Sequence, residues 1–98
     1  MYGTVARMKV KPGRLDDLKE LFDEWGRERQ PRIEGAVSGY LYKLDGDPNG
    51  AVMVAVFRDK DSYVANADDP EQDKFFRRIR DCLEADPEWN DGEIIASS

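Results

Sequence analysis

The sequence predicts an α+β domain of ferredoxin-like plan, in which an antiparallel sheet carries its helices on one face. Three observations lead to this fold class: segments in which apolar residues alternate, segments in which they recur at helical spacing, and the order of the two kinds. The order is β-α-β-β-α-β along a chain of 98 residues. A chain of this length has room for a single domain, which spans residues 1–98.

The first part of the plan is a strand followed by an amphipathic helix. Residues 2–11 alternate between two faces, and the face with Thr4 carries small and apolar residues that we expect to be buried. A Pro-Gly pair beginning at Pro12 ends this strand. Leucines and aromatic residues then recur every three or four positions between Leu15 and Trp25. This spacing predicts a helix, which Pro31 ends.

The middle of the chain predicts an antiparallel hairpin. Residues 36–44 alternate, residues 51–58 are nearly all apolar, and turn residues from Asp45 to Gly50 join the two segments. A strand with apolar residues at consecutive positions is typical of a sheet that is covered on both faces. Because the predicted helices cover one face only, we expect a second copy of the chain to cover the other. The sequence therefore predicts a homodimer whose sheets pack face to face, a dimeric α/β barrel.

The last part of the chain predicts two helices and a short strand. Asp59 is placed to cap a short helix, and Asp69 is placed to cap a longer one, with Gln72 completing a capping box. Apolar residues recur at helical spacing from Phe75 to Leu83. A final strand is expected over residues 93–96.

The composition excludes several classes of function. The net charge of −6 and the isoelectric point near 4.6 argue against binding to nucleic acid or to an anionic membrane. The chain has no histidine, which removes the usual zinc ligand, a histidine ligand to haem and a histidine general base. Cys82 is the only cysteine, which excludes a disulfide within the chain, a zinc ribbon and an iron–sulfur cluster. The acidic residues lack the spacing of a calcium site, so we expect no metal. No apolar run is long enough to span a membrane, and we expect a cytoplasmic protein.

The motifs between the predicted elements resemble those of a known family. Residues 10–13 (Val-Lys-Pro-Gly) resemble its junction between first strand and helix, and residues 33–35 (Ile-Glu-Gly) resemble the approach to its second strand. Residues 57–58, followed by 61–63 and 65–66, resemble the end of its third strand and the short helix beyond. Over nearly its whole length the chain resembles the antibiotic biosynthesis monooxygenase family of dimeric α+β barrels.

The resemblance implies a function and excludes another. The quinone-forming branch of this family uses neither metal nor flavin, and a deprotonated phenol reacts with dioxygen in a pocket between the helices and the sheet. We therefore expect a monooxygenase-like protein that needs no cofactor and acts on an aromatic or polyketide-like phenol. Asn66 is similar in position to the region of the catalytic asparagine of that branch, although other members often carry histidine there, and tryptophan at Phe57. The haem-degrading branch needs an axial histidine and is disfavoured, because this chain has none.

Two groups of residues are candidates for the site. Catalytic candidates are an amide and two phenols that can hydrogen-bond to a substrate oxygen or carry a proton: Asn66, Tyr63 and Tyr40. Candidates for binding the ligand are apolar and aromatic side chains, with one arginine to neutralise an oxyanion: Trp25, Phe22, Met53, Phe57, Phe75, Phe76 and Arg58.

Each candidate also has a purely structural interpretation. Asn66 can cap the short helix, the tyrosines and other aromatic side chains can pack in the core or the dimer interface, and Arg58 can pair with surface carboxylates. Two alternatives rank slightly behind the monooxygenase-like protein: a non-catalytic domain on the same scaffold that binds a small molecule, and a dimeric interaction module without a ligand.

Overall fold

Four antiparallel strands form a single sheet. In the computed structural model, which describes residues 1–98, they are β1 (Tyr2–Lys9), β2 (Ala36–Lys43), β3 (Gly50–Phe57) and β4 (Glu88–Glu93). Their order in space is β2-β3-β1-β4, so β1 and β3 are central and the other two are edges. The predicted α+β, ferredoxin-like fold is confirmed.

The helices lie together on one face of the sheet. They are α1 (Leu15–Glu24), α2 (Lys60–Ala67) and α3 (Pro70–Arg80). The chain continues from α1 through a π-helical turn, Trp25–Arg29, and a short 3-10 turn, Gln30–Arg32. None of these helices is both long enough and apolar enough to cross a membrane.

The helix starts follow the sequence with one exception. Asp59 accepts a hydrogen bond from the Ser62 backbone N–H at 2.8 Å, which lowers the pKa of this carboxyl to about 2. Asp69 caps α3 by accepting from the Glu71 N–H at 2.9 Å. The predicted capping box through Gln72 is wrong. The Asp69 N–H instead donates to the Asn66 carbonyl at 3.1 Å, so the Gln72 side chain is free to turn towards the interior.

The core is packed most tightly at the end of the sheet where β1 leads into α1. Val10, Leu18 and Leu83 are at most 1% exposed there. Cys82 is also fully buried, as expected for a cysteine that serves as a small apolar residue. Arg78 of α3 donates two hydrogen bonds, of 2.6 and 2.9 Å, to the Glu24 carboxylate and so links α3 to α1.

The face of the sheet opposite the helices is apolar and uncovered. Val54 of β3 is paired with Val5 of β1 on one side and with Tyr40 of β2 on the other. The exposed fractions are 47% for Val5, 55% for Tyr40 and 56% for Tyr42. β3 is apolar at consecutive positions because its residues alternate between two faces. One set faces the helices, and the other set, which includes Val54, forms this open face.

The final strand differs from the sequence prediction. It covers Glu88–Glu93 and not residues 93–96. All six of its residues are exposed, so it has no buried side that would give an alternating pattern. Pairing with β1 determines its position, with Trp89 opposite Ala6 and Asn90 opposite Val5. A strand defined by a distant partner in this way cannot be located from local hydrophobicity.

Two glycines with positive φ make a matched test of this architecture. Gly35 (φ 84°) precedes β2, and Gly13 (φ 79°) precedes α1. A Cβ on Gly35 would overlap the Ser62 side chain in the start of α2, whereas a Cβ on Gly13 would meet no atom within 4 Å. We expect Gly13→Ala to lower the free energy of unfolding by about 1 kcal/mol, the cost of the left-handed backbone alone.

Gly35→Ala should cost clearly more, because steric overlap is added to the same backbone cost. Chemical denaturation of the two variants beside the parent measures both effects. Equal losses would show that the contact between Gly35 and Ser62 does not limit the approach of β2 to α2.

Candidate functional site

A cavity of about 400 Å³ lies between the sheet and the helices. Of the 17 residues that line it, 11 are hydrophobic, so a ligand that fills it must be largely apolar. The volume lies within the range of about 300–1,000 Å³ that is typical of sites for small organic ligands.

The floor of the cavity is one row of paired residues that crosses all four strands. Gly39 of β2 pairs with Ala55 of β3, Ala55 pairs with Thr4 of β1, and Thr4 pairs with Asp91 of β4. All four residues line the cavity. The floor therefore changes from small and apolar under β2 and β3 to polar under β1 and β4.

Aromatic side chains form the walls. Phe22 and Trp25 stack with ring centroids 6.5 Å apart, and Phe76 lies 5.6 Å from Trp89 across the gap between α3 and β4. The absence of a side chain at Gly39 admits the Phe22 ring, since a Cβ there would lie 3.1 Å from Phe22 Cζ. Trp89 is 44% exposed, so the cavity is bounded by solvent on the β4 side.

Two polar atoms of the cavity wall are buried without any hydrogen-bond partner. They are Asn66 Oδ1 and Thr4 Oγ1. Leaving such an atom unpaired costs about 1–3 kcal/mol, and polar groups of this kind are uncommon in folded proteins outside functional positions. The Asn66 backbone carbonyl accepts from Asp69, but its side-chain oxygen makes no capping bond. The structural interpretation of Asn66 as a cap therefore does not account for its amide.

Tyr63 is held at the polar end of the cavity. Its hydroxyl donates to Asp91 Oδ1 at 2.8 Å, and its ring packs edge-on against Tyr2 and Phe57 at 5.3 and 5.5 Å. Burial, and then the hydrogen bond to Asp91, raise the pKa of this phenol well above its usual value. The Thr4 hydroxyl lies near enough to the Tyr63 hydroxyl to lower this pKa in part, but the two groups are not in hydrogen-bonding geometry. Tyr63 is therefore a neutral hydrogen-bonding group and not a base.

Most of the residues proposed for the site from the sequence do line this cavity. They are Trp25, Phe22, Met53, Phe57, Phe76, Asn66 and Tyr63. The three helices, the π-helical turn and β3 bring them together, because each residue lies on the face of its element that is turned inward.

Three proposed residues lie elsewhere. Tyr40 is on the open face of the sheet, because it alternates with Gly39, which faces the cavity. Arg58 follows β3 at the surface and pairs with Asp59 at 3.0 Å and with Glu34 at 3.5 Å, in agreement with its structural interpretation. Phe75 is buried in the core, with the Arg78 guanidinium 5.2 Å from its ring.

Ten of the 17 lining residues were not among those proposed from the sequence, and four of these ten bear on the polar and aromatic parts of the site: Thr4, Gln72, Trp89 and Asp91. Thr4 gave a usable signal, since it is a polar residue at a position of β1 predicted to be buried. Asp91 lies in residues 90–92, which the sequence predicts as a turn, Trp89 comes directly before that turn, and Gln72 is predicted to act as a local cap. No pattern in the sequence links these three residues to the cavity.

The fold and the cavity together define a small α+β domain of ferredoxin-like plan with an apolar pocket between helices and sheet. The sequence profile of the antibiotic biosynthesis monooxygenase family matches residues 1–78. The chain belongs to this family. No curated protein sequence matches it significantly.

Solved structures share the fold over almost the whole chain. An asparagine-to-alanine variant of SnoaB, a cofactor-independent oxygenase from Streptomyces nogalater, is 19% identical with a TM-score of 0.80, over 98% of this chain and 94% of that one. A conserved protein from Methanosarcina mazei is 21% identical with a TM-score of 0.80, over 93% and 89%. A Bordetella bronchiseptica protein provisionally assigned to the same family is 16% identical with a TM-score of 0.83, over 97% of each chain. At these identities the likeness concerns the fold.

The unpaired Thr4 hydroxyl leads to a prediction about stability. Thr4 is only 3% exposed, and valine has nearly the same shape without the hydroxyl. We expect Thr4→Val to raise the free energy of unfolding of the ligand-free protein by about 1 kcal/mol, because it removes a desolvated polar group. Chemical denaturation measures the change, with Thr4→Ser as the control that keeps the hydroxyl and gains nothing. A less stable Thr4→Val would show that the hydroxyl is satisfied in solution.

Proposed function

We propose that the cavity binds a planar aromatic phenol and promotes its oxidation by dioxygen to a quinone, with no cofactor. The observation that carries the proposal is the Asn66 amide, whose oxygen is buried and unpaired in the wall of an otherwise apolar cavity. A hydroxyl of the ligand that donates to Asn66 Oδ1 would supply the missing partner. Family membership and the likeness to the fold of SnoaB support the same class of reaction.

The proposed reaction balances without an external reductant. In an anthrone-type substrate, the methylene carbon loses its two hydrogens and becomes a second carbonyl. One atom of dioxygen supplies the new carbonyl oxygen, and the other leaves as water with the two hydrogens. The four electrons lost by the carbon are those that reduce dioxygen.

The residues of the cavity have distinct parts in this proposal. Phe22, Trp25 and Phe76 present ring faces and edges against which a flat ligand can pack. The first step removes a proton and leaves an enolate, whose negative oxygen then accepts a hydrogen bond from Asn66 Nδ2 in surroundings of low polarity. The Asp91 carboxylate, at the polar end of the floor, is available to receive the proton.

Oxygen uptake with anthrone tests the proposal. We expect the parent to consume dioxygen faster than buffer and Asn66→Ala to lose about a hundredfold in rate, the effect of removing one group that stabilises an oxyanion. Val64→Ala is the matched control, since Val64 lies on the same helix, is 42% exposed and does not line the cavity. Because the Asn66 oxygen has no partner to lose, Asn66→Ala should fold normally.

The outcomes separate the alternatives. Uptake that is unchanged in Asn66→Ala removes this residue from the mechanism. Anaerobic binding of anthrone without oxygen uptake favours a binding protein that is not an enzyme. Failure of the parent to bind or to oxidise any phenol in a broad panel rejects the proposed function and favours an interaction module.

We also propose that the protein acts as a homodimer joined through the open face of the sheet. The single chain leaves the apolar and aromatic side chains of this face uncovered; they are those of Val5, Val52, Val54, Val56, Tyr40 and Tyr42.

We expect Val54→Asp, at the centre of the face, to convert a dimer to a monomer in size exclusion with light scattering. Val64→Asp adds the same charge on α2 and should leave the dimer intact. A parent that is monomeric at micromolar concentration would reject the interface.

A further inference from the structure

Gln72 occupies an unusual place in the wall of the cavity. Its Oε1 accepts two hydrogen bonds, one from the indole Nε1 of Trp25 at 3.2 Å and one from the Arg29 Nε at 3.1 Å. Indole and guanidinium N–H groups are donors only. The oxygen of the Gln72 amide must therefore face these two groups, and its nitrogen must face away from them.

The Gln72 nitrogen is left without a protein partner. No acceptor in the structure bonds Nε2, and this atom is not among the buried polar atoms that lack a partner. Gln72 itself lines the cavity. The amide therefore offers two N–H donors that remain accessible. The hydrogen bonds from Trp25 and Arg29 to its oxygen fix its orientation.

The surroundings also strengthen this donor. Trp25 is only 8% exposed, and Trp25 and Arg29 lie in the same π-helical turn, so the acceptor side of the amide is held by a single rigid segment. A charged donor on the amide oxygen withdraws electron density from the nitrogen and makes its hydrogens better donors. Thr4 and Asn66, by contrast, offer oxygen atoms with no partner that fixes them.

We propose that Gln72 determines ligand specificity by donating a hydrogen bond from Nε2 to an acceptor oxygen, a carbonyl or a phenolate, of the ligand in the cavity. This proposal rests on the proposed function in that it requires the cavity to bind an aromatic molecule. It adds that the cavity selects aromatic ketones and phenolates over hydrocarbons of the same shape.

A change of Gln72 to glutamate separates its two possible roles. A carboxylate still accepts from Trp25 and Arg29 but has no N–H to donate. Gln72→Met removes both functions. Gln30→Glu is the charge-matched control, because Gln30 lies just beyond the same π-helical turn, does not line the cavity and has a side chain that donates only to the Val37 carbonyl.

The probes are alpha-tetralone, a bicyclic aromatic ketone, and tetralin, the hydrocarbon of the same shape, titrated by calorimetry or tryptophan fluorescence. We expect the parent and Gln30→Glu to bind the ketone more tightly than the hydrocarbon. Gln72→Glu should lose about tenfold in affinity for the ketone, the worth of one hydrogen bond, with little change for tetralin. Its thermal stability should match that of the parent, whereas Gln72→Met should be less stable.

A pH series adds a signature that a structural role would not give. Protonation of the new carboxyl restores an O–H donor, so Gln72→Glu should regain affinity for the ketone at low pH while tetralin binding stays level. If Gln72→Glu binds the ketone as well as the parent does, or loses both probes equally, Gln72 only supports Trp25 and Arg29 and the inference is wrong. A parent that binds both probes alike overturns this inference alone, and a parent that binds neither overturns the proposed function with it.

Discussion

The pairing of Gly39 with Ala55 across β2 and β3 sets how the helices can meet the sheet. Without a side chain at Gly39, the Phe22 ring approaches the strand backbone directly. The Ala55 side chain beside it is short, so a space remains between the sheet and the rings of α1 and α3, and this space is the cavity. Larger residues at either position would turn this end of the molecule into ordinary core.

The tightly packed core and the polar end of the cavity lie at opposite ends of the same sheet. At one end Val10, Leu18 and Leu83 are almost completely buried and make the tightly packed part of the core. At the other end Thr4 and Asn66 keep polar atoms without partners, which lowers the stability of the ligand-free chain. A domain of this size has a small free energy of unfolding. Burial of apolar side chains at the packed end must therefore offset the free-energy cost of the unpaired polar atoms at the other end.

The sequence was sufficient wherever a pattern acts over a few residues. Alternation placed the inward side of β1 correctly, and the capping residue of α2 was visible in Asp59. It was insufficient wherever a partner is distant. Gln72 reads locally as a cap, but its partner Trp25 lies 47 positions earlier in the chain. Tyr40 was assigned correctly to the other side of its strand from Gly39, yet only the pairing of Gly39 with Ala55 shows which of those sides meets the cavity.

Strand register keeps the two proposed uses of the sheet apart. In β3, Ala55 faces the cavity while Val54 and Val56 face the open side, and in β1 Thr4 and Val5 divide in the same way. A slip of one residue would place valines in the cavity and small or polar residues on the open face. The open face therefore needs apolar residues at these alternate positions only. A second copy that covered them would not touch the side chains of the cavity floor, which lie on the opposite face of the sheet. Any effect of such a copy on the cavity would pass through the backbone of β1 and β3, on which Thr4 and Ala55 are placed.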